Sequence, residues 1–183
     1  MACTQQTLSA IAKNCTNNKG GVFTVYVRHW GDIATKTVVD GKISTITLAS
    51  GADAQAVQWE FNKETASLVS TMTKEESSGS LFWTNVLSLK FAKADTTKRL
   101  ALTAATKSDV CVMVKDNNGN VWFMGFDEPV SATTGELNSG TSYTDGSSLS
   151  LTLQDVSDDT CYEMSDSAVA TFIGTAPVGN GGE

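Results

Sequence analysis

The chain has 183 residues and a formal net charge of −7 at pH 7, and only 18% of its residues are charged. This length suits one compact domain, and the acidic balance provides no basic stripe for binding nucleic-acid phosphates. A negative surface is compatible with simple solubility and also with a surface along which DNA slides without binding, because like charges repel.

The first half of the chain alternates apolar and polar residues, as half-buried strands do. In the first such segment, Phe23, Val25 and Val27 are expected on one face. Asp40-Gly41 predicts a type I′ turn between two strands, and the polar segment 74–80 is expected to be an exposed loop. The predicted strands cover residues 22–30, 33–39, 42–48, 54–62, 66–73 and 81–91.

One helix is predicted over about residues 95–107, with Asp95 as its N-cap. The hairpin after it, DVCVMVKDNNGNVWFMGF at 109–126, is apolar on both faces, so other parts of the fold must cover both. Its turn is assigned to Asn118-Gly119 as type I′. Gly125, after its second strand, is expected to mark a bulge or a close backbone approach.

The last third of the chain is richer in polar residues. Residues 133–148 are expected to form a long Gly/Ser/Thr loop, 148–153 a strand, 155–159 an acidic loop and 161–164 a short edge strand. The predicted organisation is an N-terminal arm over 1–20 with a short helix at 5–13, a β-barrel or β-sandwich domain over 21–163 with one flanking helix, and a flexible C-terminal tail over 164–183.

No set of residues predicts a catalytic site, a cofactor or a metal ligand set. His29 is the only histidine, and no nucleophile motif accompanies it. Paired carboxylates occur at Glu75-Glu76, Asp127-Glu128 and Asp158-Asp159, all in polar segments where solvated charge is the ordinary explanation. A polysaccharide hydrolase would need two carboxylates across a cleft, and their separation does not follow from the sequence.

Two further patterns resemble ligand sites. DNNGN at 116–120 copies the first ligand spacing of an EF-hand loop, but Val121 stands where that loop needs glycine, so a turn is favoured. Exposed tryptophans would suit carbohydrate stacking, and Trp30 is expected to be the exposed one. The other tryptophans lie in apolar alternation and are predicted to pack in the core; they are Trp59, Trp83 and Trp122.

The four cysteines are scattered, and the absence of a CxxC pair argues against a zinc site. Cys111 is predicted to be buried, whereas a Cys3–Cys15 disulfide is conceivable only in an oxidising compartment. No apolar run suits a signal peptide, and none approaches the roughly 20 residues needed to cross a bilayer. Folding in a cytoplasm with reduced thiols is therefore expected.

Four segments carry a resemblance to a known family: WEFNKETASLV at 59–69, LSLKFAK at 87–93, VMVKDNNGNVWFMGF at 112–126 and SGTSYTDGSSLSLTL at 139–153. Together with the order of strands, helix and hairpin, they resemble bacteriophage tail tube and tail ring proteins, in particular virion structural proteins of phages that infect Bacteroidetes. The resemblance covers residues 55–155 best.

This resemblance implies a non-enzymatic virion subunit whose copies pair sheet edges into a ring, a hexamer or a multiple of six. The inner wall would be a continuous β-barrel through which DNA passes without specific binding, and rings would stack through a loop such as 31–41 or 74–80. The implied partners are the protein itself and adjacent tail or connector proteins, in a virion tail assembled in the host cytoplasm without a membrane. The alternative is a decoration or host-glycan-binding module that uses Trp30 and residues 131–147.

Overall fold

Two sheets and two helices make up residues 9–13, 15–53 and 55–174, which are the residues that this computed structural model describes. The elements are β1 (Val22–His29), β2 (Ile33–Val39), β3 (Lys42–Leu48), β4 (Val57–Trp59), β5 (Ala66–Glu75), β6 (Ser80–Ala92), α1 (Thr96–Thr106), β7 (Val110–Asp116), β8 (Val121–Met124), β9 (Ser131–Asn138), β10 (Ser148–Ser157), β11 (Tyr162–Met164) and α2 (Asp166–Ile173). The wide sheet has the order β2-β3-β11-β8-β7-β1-β4, and the narrow sheet has the order β5-β6-β10-β9. The predicted mainly β fold is confirmed as a sandwich, and the sheets do not close into a barrel.

The main core lies between the two sheets. Strict alternation on β6 and β10 points Leu87, Leu89, Leu151 and Leu153 inward, and all four are almost fully buried. Helix α1 packs beside them through Leu102. Burying each such leucine stabilises the fold by roughly 1.5–3 kcal/mol. These two strands therefore contribute much of the main core, as their sequence predicts.

Helix α1 begins and ends within one residue of its predicted bounds. The Asp95 side chain accepts a hydrogen bond from the Lys98 backbone N–H at 2.8 Å, which satisfies one of the free donors of the first turn. Of the short helix predicted at 5–13, the described residues 9–13 are not helical, and the rest lies outside the described residues.

A second core forms where α2 covers the outer face of the wide sheet. Ala168 and Phe172 are fully buried there, and the Phe172 ring meets Phe123 edge-to-face, with centroids 5.8 Å apart. Both faces of β7 are therefore covered, as its composition predicts. The flexible tail predicted from residue 164 is wrong for 166–173, because these residues form a packed helix; residues 175–183 lie outside the described residues.

Several segments differ from their predicted structure. Of the described residues in the predicted strand 54–62 only Val57–Trp59 form β4, and β10 runs to Ser157 through part of the predicted acidic loop 155–159. Residues 131–138 form β9 instead of belonging to a long loop; this edge strand is held by its backbone ladder with β10 and leaves its side chains exposed, so it needs no apolar alternation. The predicted loop 74–80 shrinks because β5 runs to Glu75 and β6 begins at Ser80. The predicted edge strand β11 lies between β3 and β8.

A β-bulge corrects the predicted faces of β1. The pairing of β1 with β7 shifts register between Val22 and Thr24, so the alternation changes phase at Phe23. Val25 and Val27 stay in the core, whereas Phe23 is 66% exposed.

The two predicted hairpin turns have different outcomes. Asp40 and Gly41 have φ values of 51° and 76°, as a type I′ turn requires. In the β7–β8 hairpin the Asp116 backbone N–H donates to the Asn120 carbonyl at 2.9 Å, and of the three loop residues between them only Gly119 has a positive φ, 95°. The assignment of a type I′ turn to Asn118-Gly119 is therefore wrong; the loop is the three-residue kind that ends in a left-handed glycine.

Candidate functional site

The outer face of the narrow sheet is rich in hydroxyl side chains. Alternate residues of its four strands point away from the core and are exposed or half-buried. The charged side chains on this face are Lys90, Glu136 and, at the hairpin end, Glu75, so little of the chain's acidic excess lies here. The hydroxyl residues of the face are Ser67, Thr71, Thr73, Ser80, Thr84, Ser88, Ser131, Thr134, Ser148, Ser150 and Thr152.

This face is concave where β5, β6 and β10 adjoin. A shallow depression of about 440 Å³ lies there, bordered by Ser67, Ser88 and Thr152. Lys90 and Glu136 flank Ser150 in one row across β6, β10 and β9, so their opposite charges lie two strands apart on the same face. The outer face is therefore rich in hydroxyl groups, with nearly balanced charge and with apolar side chains among them at Val69, Phe82, Val86 and Val156.

The margins of the narrow sheet are open. β5 has ten residues and β9 has eight, and no further strand of the described residues pairs with either on its outer side. Neither strand contains proline, and each leaves a large apolar side chain more than half exposed, Met72 on β5 and Leu137 on β9. Open margins of this length readily pair with another chain.

The β5–β6 hairpin extends beyond the sandwich core. Met72 and Leu81 are each 51% exposed, although they lie on the face that is buried further down the same strands. The polar turn at its end is held by the Glu75 carboxylate, which accepts a hydrogen bond from the Ser77 hydroxyl at 2.8 Å. The hairpin therefore presents a short apolar strip with a polar tip.

Trp30 does not form a free aromatic platform. It is half-buried, its Nε1 donates to the Gly125 carbonyl at 2.9 Å, and the Lys36 ammonium lies 5.0 Å from its ring centroid. Burial lowers the pKa of Lys36, whose Nζ also lies 5.2 Å from the Phe126 ring centroid. His29 is exposed at the end of β1. The predicted exposure of Trp30 is therefore wrong, and its indole serves an internal contact.

The DNNGN segment is a turn whose Asp116 carboxylate is occupied by hydrogen bonds from within the chain. The Asp116 carboxylate accepts hydrogen bonds from the backbone N–H groups of Asn118 (2.8 Å) and Asn120 (2.9 Å) and from Trp122 Nε1 (3.2 Å). Partial burial acts to raise the pKa of Asp116, but these donors outweigh it and lower the pKa. Asn118 Oδ1 also accepts from the Lys19 N–H at 2.8 Å, so the turn fixes the N-terminal arm.

The fold brings two of the carboxylate pairs together beside a carboxylate that the sequence reasoning missed. The Asp158 N–H donates to Asp127 Oδ2 at 3.3 Å. Nearby, Asp155 is buried within β10; its Oδ2 accepts from the Gly125 N–H at 2.7 Å, and its Oδ1 accepts no hydrogen bond from the described residues. Burial raises the pKa of Asp155, and the Asp127 charge adds to the rise. The inward alternation that ends at Leu153 was the signal that could have placed Asp155 inside.

The described cysteines are all free thiols, and two of them are buried. Burial raises the pKa values of Cys111 and Cys161 to about 12, so neither is a reactive thiolate at neutral pH. Cys15 is exposed, and the conceivable partner Cys3 lies outside the described residues. Within the described part of the chain, no group of three or more His, Cys, Asp or Glu residues is arranged to hold a metal ion. No helix there is long and apolar enough to cross a membrane.

The distinctive features of residues 9–174, as far as they are described, are surfaces: the two open margins of the narrow sheet, its hydroxyl-rich outer face and a projecting hairpin. Comparisons with protein-family models, with curated proteins and with solved structures find no match to this chain.

Proposed function

We propose that the chain is a non-enzymatic virion structural protein, a tail tube or tail ring subunit that assembles with copies of itself around a DNA passage. The observation that carries this proposal is the pair of open margins, β5 and β9, on one four-stranded sheet. When β9 of one copy pairs with β5 of the next, both open margins gain a partner strand. Head-to-tail repetition of this contact closes into a ring.

Strand direction supports this junction. The narrow sheet is antiparallel throughout, so its two margins, β5 and β9, run in opposite directions. A β5–β9 junction between copies is then antiparallel as well, and the alternation continues from subunit to subunit. Repetition around an axis gives a closed antiparallel barrel with four strands from each copy.

The widths of the two sheets set the direction of curvature. At about 4.8 Å per strand, four strands span about 19 Å and seven span about 34 Å. Sheets that pack face to face lie about 10 Å apart, so each subunit is a wedge whose thin side is the narrow sheet. A ring of such wedges has the narrow sheet on its inner wall and the wide sheet outside.

The face that would then line the passage suits DNA transit. Hydroxyl groups hydrate well, and the few charges include Lys90 and Glu136 in one row. With no basic stripe, the wall neutralises few phosphates and releases few counterions, so DNA gains little from binding it. The β5–β6 hairpin lies at one end of this wall, where its exposed Leu81 suits contact with a stacked ring or an adjacent tail or connector protein.

Proline at a bulge of the margin tests the proposal. Thr133 is the extra, exposed residue of β9 where its register with β10 shifts, a position where proline is tolerated, so Thr133→Pro disturbs the outer margin. Its cost inside the subunit includes the hydrogen bond from the Thr133 hydroxyl to the Thr152 carbonyl at 3.4 Å. Ala34 is the corresponding bulged, exposed residue of β2 in the wide sheet, and Ala34→Pro is the matched control.

Light scattering and negative-stain microscopy of wild type and Ala34→Pro should show rings or tubes, whereas Thr133→Pro should remain monomeric with an unchanged circular dichroism spectrum. A wild-type protein that stays monomeric at high concentration would refute the proposal.

A further inference from the structure

We infer that Leu137 of one copy lies opposite Leu68 of the next copy and closes a partly apolar cavity at the β5 margin. The inference rests on the proposed junction between β5 and β9, and it fixes the register of that junction. Register decides which side chains meet, so it can be right or wrong independently of ring formation.

The two margins are staggered within one subunit. β9 pairs with β10, and β10 pairs with β6. Followed across these pairings, the two ends of β9, Ser131 and Asn138, lie level with Val86 and Ala92 of β6. β5 instead pairs with β6 residues 80–89. The centres of the two margins are therefore offset along the strand direction by about four to five residues.

A closed barrel requires such a stagger, because its strands tilt. We call the shift the number of residues by which β9 of the neighbouring copy is displaced along the strand direction from the level that β9 has in its own subunit. This shift must be an even number, since side chains alternate between the two faces of a sheet. A shift of four places all of β9 beside residues 67–73 of β5. Four residues correspond to about 13 Å along the strands, and the four strands of one subunit span about 19 Å across the sheet. The strands would then tilt by about 35° from the barrel axis, at the lower end of the range of about 35–45° typical of barrels.

Side-chain matching selects the shift of four. It places Leu137, 59% exposed in the single chain, opposite half-buried Leu68, and Ala132 opposite Met72, which is 51% exposed. A shift of six would place Leu137 opposite Ser70 and leave Leu68 uncovered. A shift of two would place Leu137 opposite Ala66 and Gly135, which has no side chain, opposite Leu68. With no shift, Ala132 would face Leu68 and β9 would extend past the end of β5.

The same shift covers two grooves. A cavity of about 410 Å³ lies between β5 and the N-terminal arm, with Leu68, Val114 and Trp122 among its apolar walls. Leu137 borders a smaller groove of about 180 Å³ between β9 and α1. Contact between Leu137 and Leu68 joins the two grooves across the junction and shields their apolar walls from water, which favours association.

Disulfide trapping in a background with Cys3→Ser and Cys15→Ser tests the register. Opposite residues of antiparallel strands have Cα atoms about 4.5–5.5 Å apart, within disulfide range. Leu68→Cys with Leu137→Cys should form ladders of covalent oligomers on mild oxidation, and Ser67→Cys with Asn138→Cys, the outer-face pair of the same register, should do the same if the first pair impairs folding.

Three mismatched pairs serve as controls: Leu68→Cys with Ala132→Cys reports no shift, Ala66→Cys with Leu137→Cys reports a shift of two, and Val69→Cys with Asn138→Cys reports a shift of six. Rings that cross-link through a control pair instead would overturn the register while leaving the proposed function intact. Absence of rings and of every cross-link would overturn both.

Discussion

Phe172 anchors α2 on the wide sheet, and its replacement by alanine should strongly destabilise the domain. The side chain is fully buried, its ring meets Phe123 with centroids 5.8 Å apart, and Arg28 Cζ lies 5.8 Å from its centroid. Truncating a buried phenylalanine costs about 3–5 kcal/mol, which for a domain of this size lowers Tm by about 6–20 °C. The Phe172 carbonyl also accepts from Arg28 Nε and Nη2 at 3.1 and 2.9 Å, so a loosened helix would leave a buried guanidinium without these bonds.

Thermal and urea unfolding followed by circular dichroism would measure this loss. Because binding between copies shifts apparent stability, Phe172→Ala is best compared in a Thr133→Pro background. Phe23→Ala is the matched control, since Phe23 is 66% exposed and its loss should change stability by no more than about 0.5 kcal/mol. A loss below about 1 kcal/mol for Phe172→Ala would refute the assignment of α2 as a structural element.

Three further substitutions probe other features. Burial raises the pKa of Asp155 above its ordinary value of 3.8, so folding favours its protonated form, and wild type loses stability as the pH rises through 3.8 towards the higher folded pKa. Asp155→Asn should abolish this loss and be the more stable protein in urea at pH 7; equal pH profiles would contradict the burial argument. Gly125 has a φ of 89°, and a Cβ there would lie 3.1 Å from the Cys111 Cβ, so Gly125→Ala should cost about 1–3 kcal/mol in the same assay; an unchanged midpoint would show that the site relaxes. Thr152→Lys adds a positive charge to the outer face of the narrow sheet in every copy, and the assembled variant should retain DNA at low salt in a gel-shift assay and release it at high salt. DNA retention by wild type would contradict a non-binding wall.

Elements with a buried face were predictable from the sequence. β6 from Leu87 to Phe91 and β10 from Leu149 to Leu153 place a leucine or another apolar residue at every second position, and this face of each is buried against the opposite sheet. Asp95 marks the start of α1 because its carboxylate satisfies a free backbone donor. The apolar residues on both faces of β7 predicted that the hairpin is covered on both sides.

Elements held by the backbone or by distant partners were not predictable. β9 is stabilised by its ladder with β10, so its exposed SATTGELN sequence has the composition of a loop. α2 spans only eight residues, too few for a clear helical period, and its apolar face is defined by Phe123 and Ile43, far away in the chain. The bulge at Phe23 arises from pairing with β7, which local alternation does not encode.

The position of the proposed assembly surface was not predictable. The acidic balance of the chain suggested a surface that repels DNA, but the outer face of the narrow sheet carries little of the acidic excess and is instead rich in hydroxyl groups. Which strands form the wall follows from the strand order of the narrow sheet, where β9 and β10 come long after β5 and β6 in the chain. The margins are defined by this order, so only the folded chain identifies β5 and β9 as the open margins of the narrow sheet.

The central claim is that the narrow sheet of each copy is completed by the next copy. A cryo-electron microscopy reconstruction of the assembled protein tests it most directly, because strand order around the inner wall can be traced. The account predicts one continuous antiparallel barrel in which β5 of each subunit adjoins β9 of its neighbour. A particle whose inner wall is formed by the wide sheet, or in which β5 and β9 both face solvent, would contradict it.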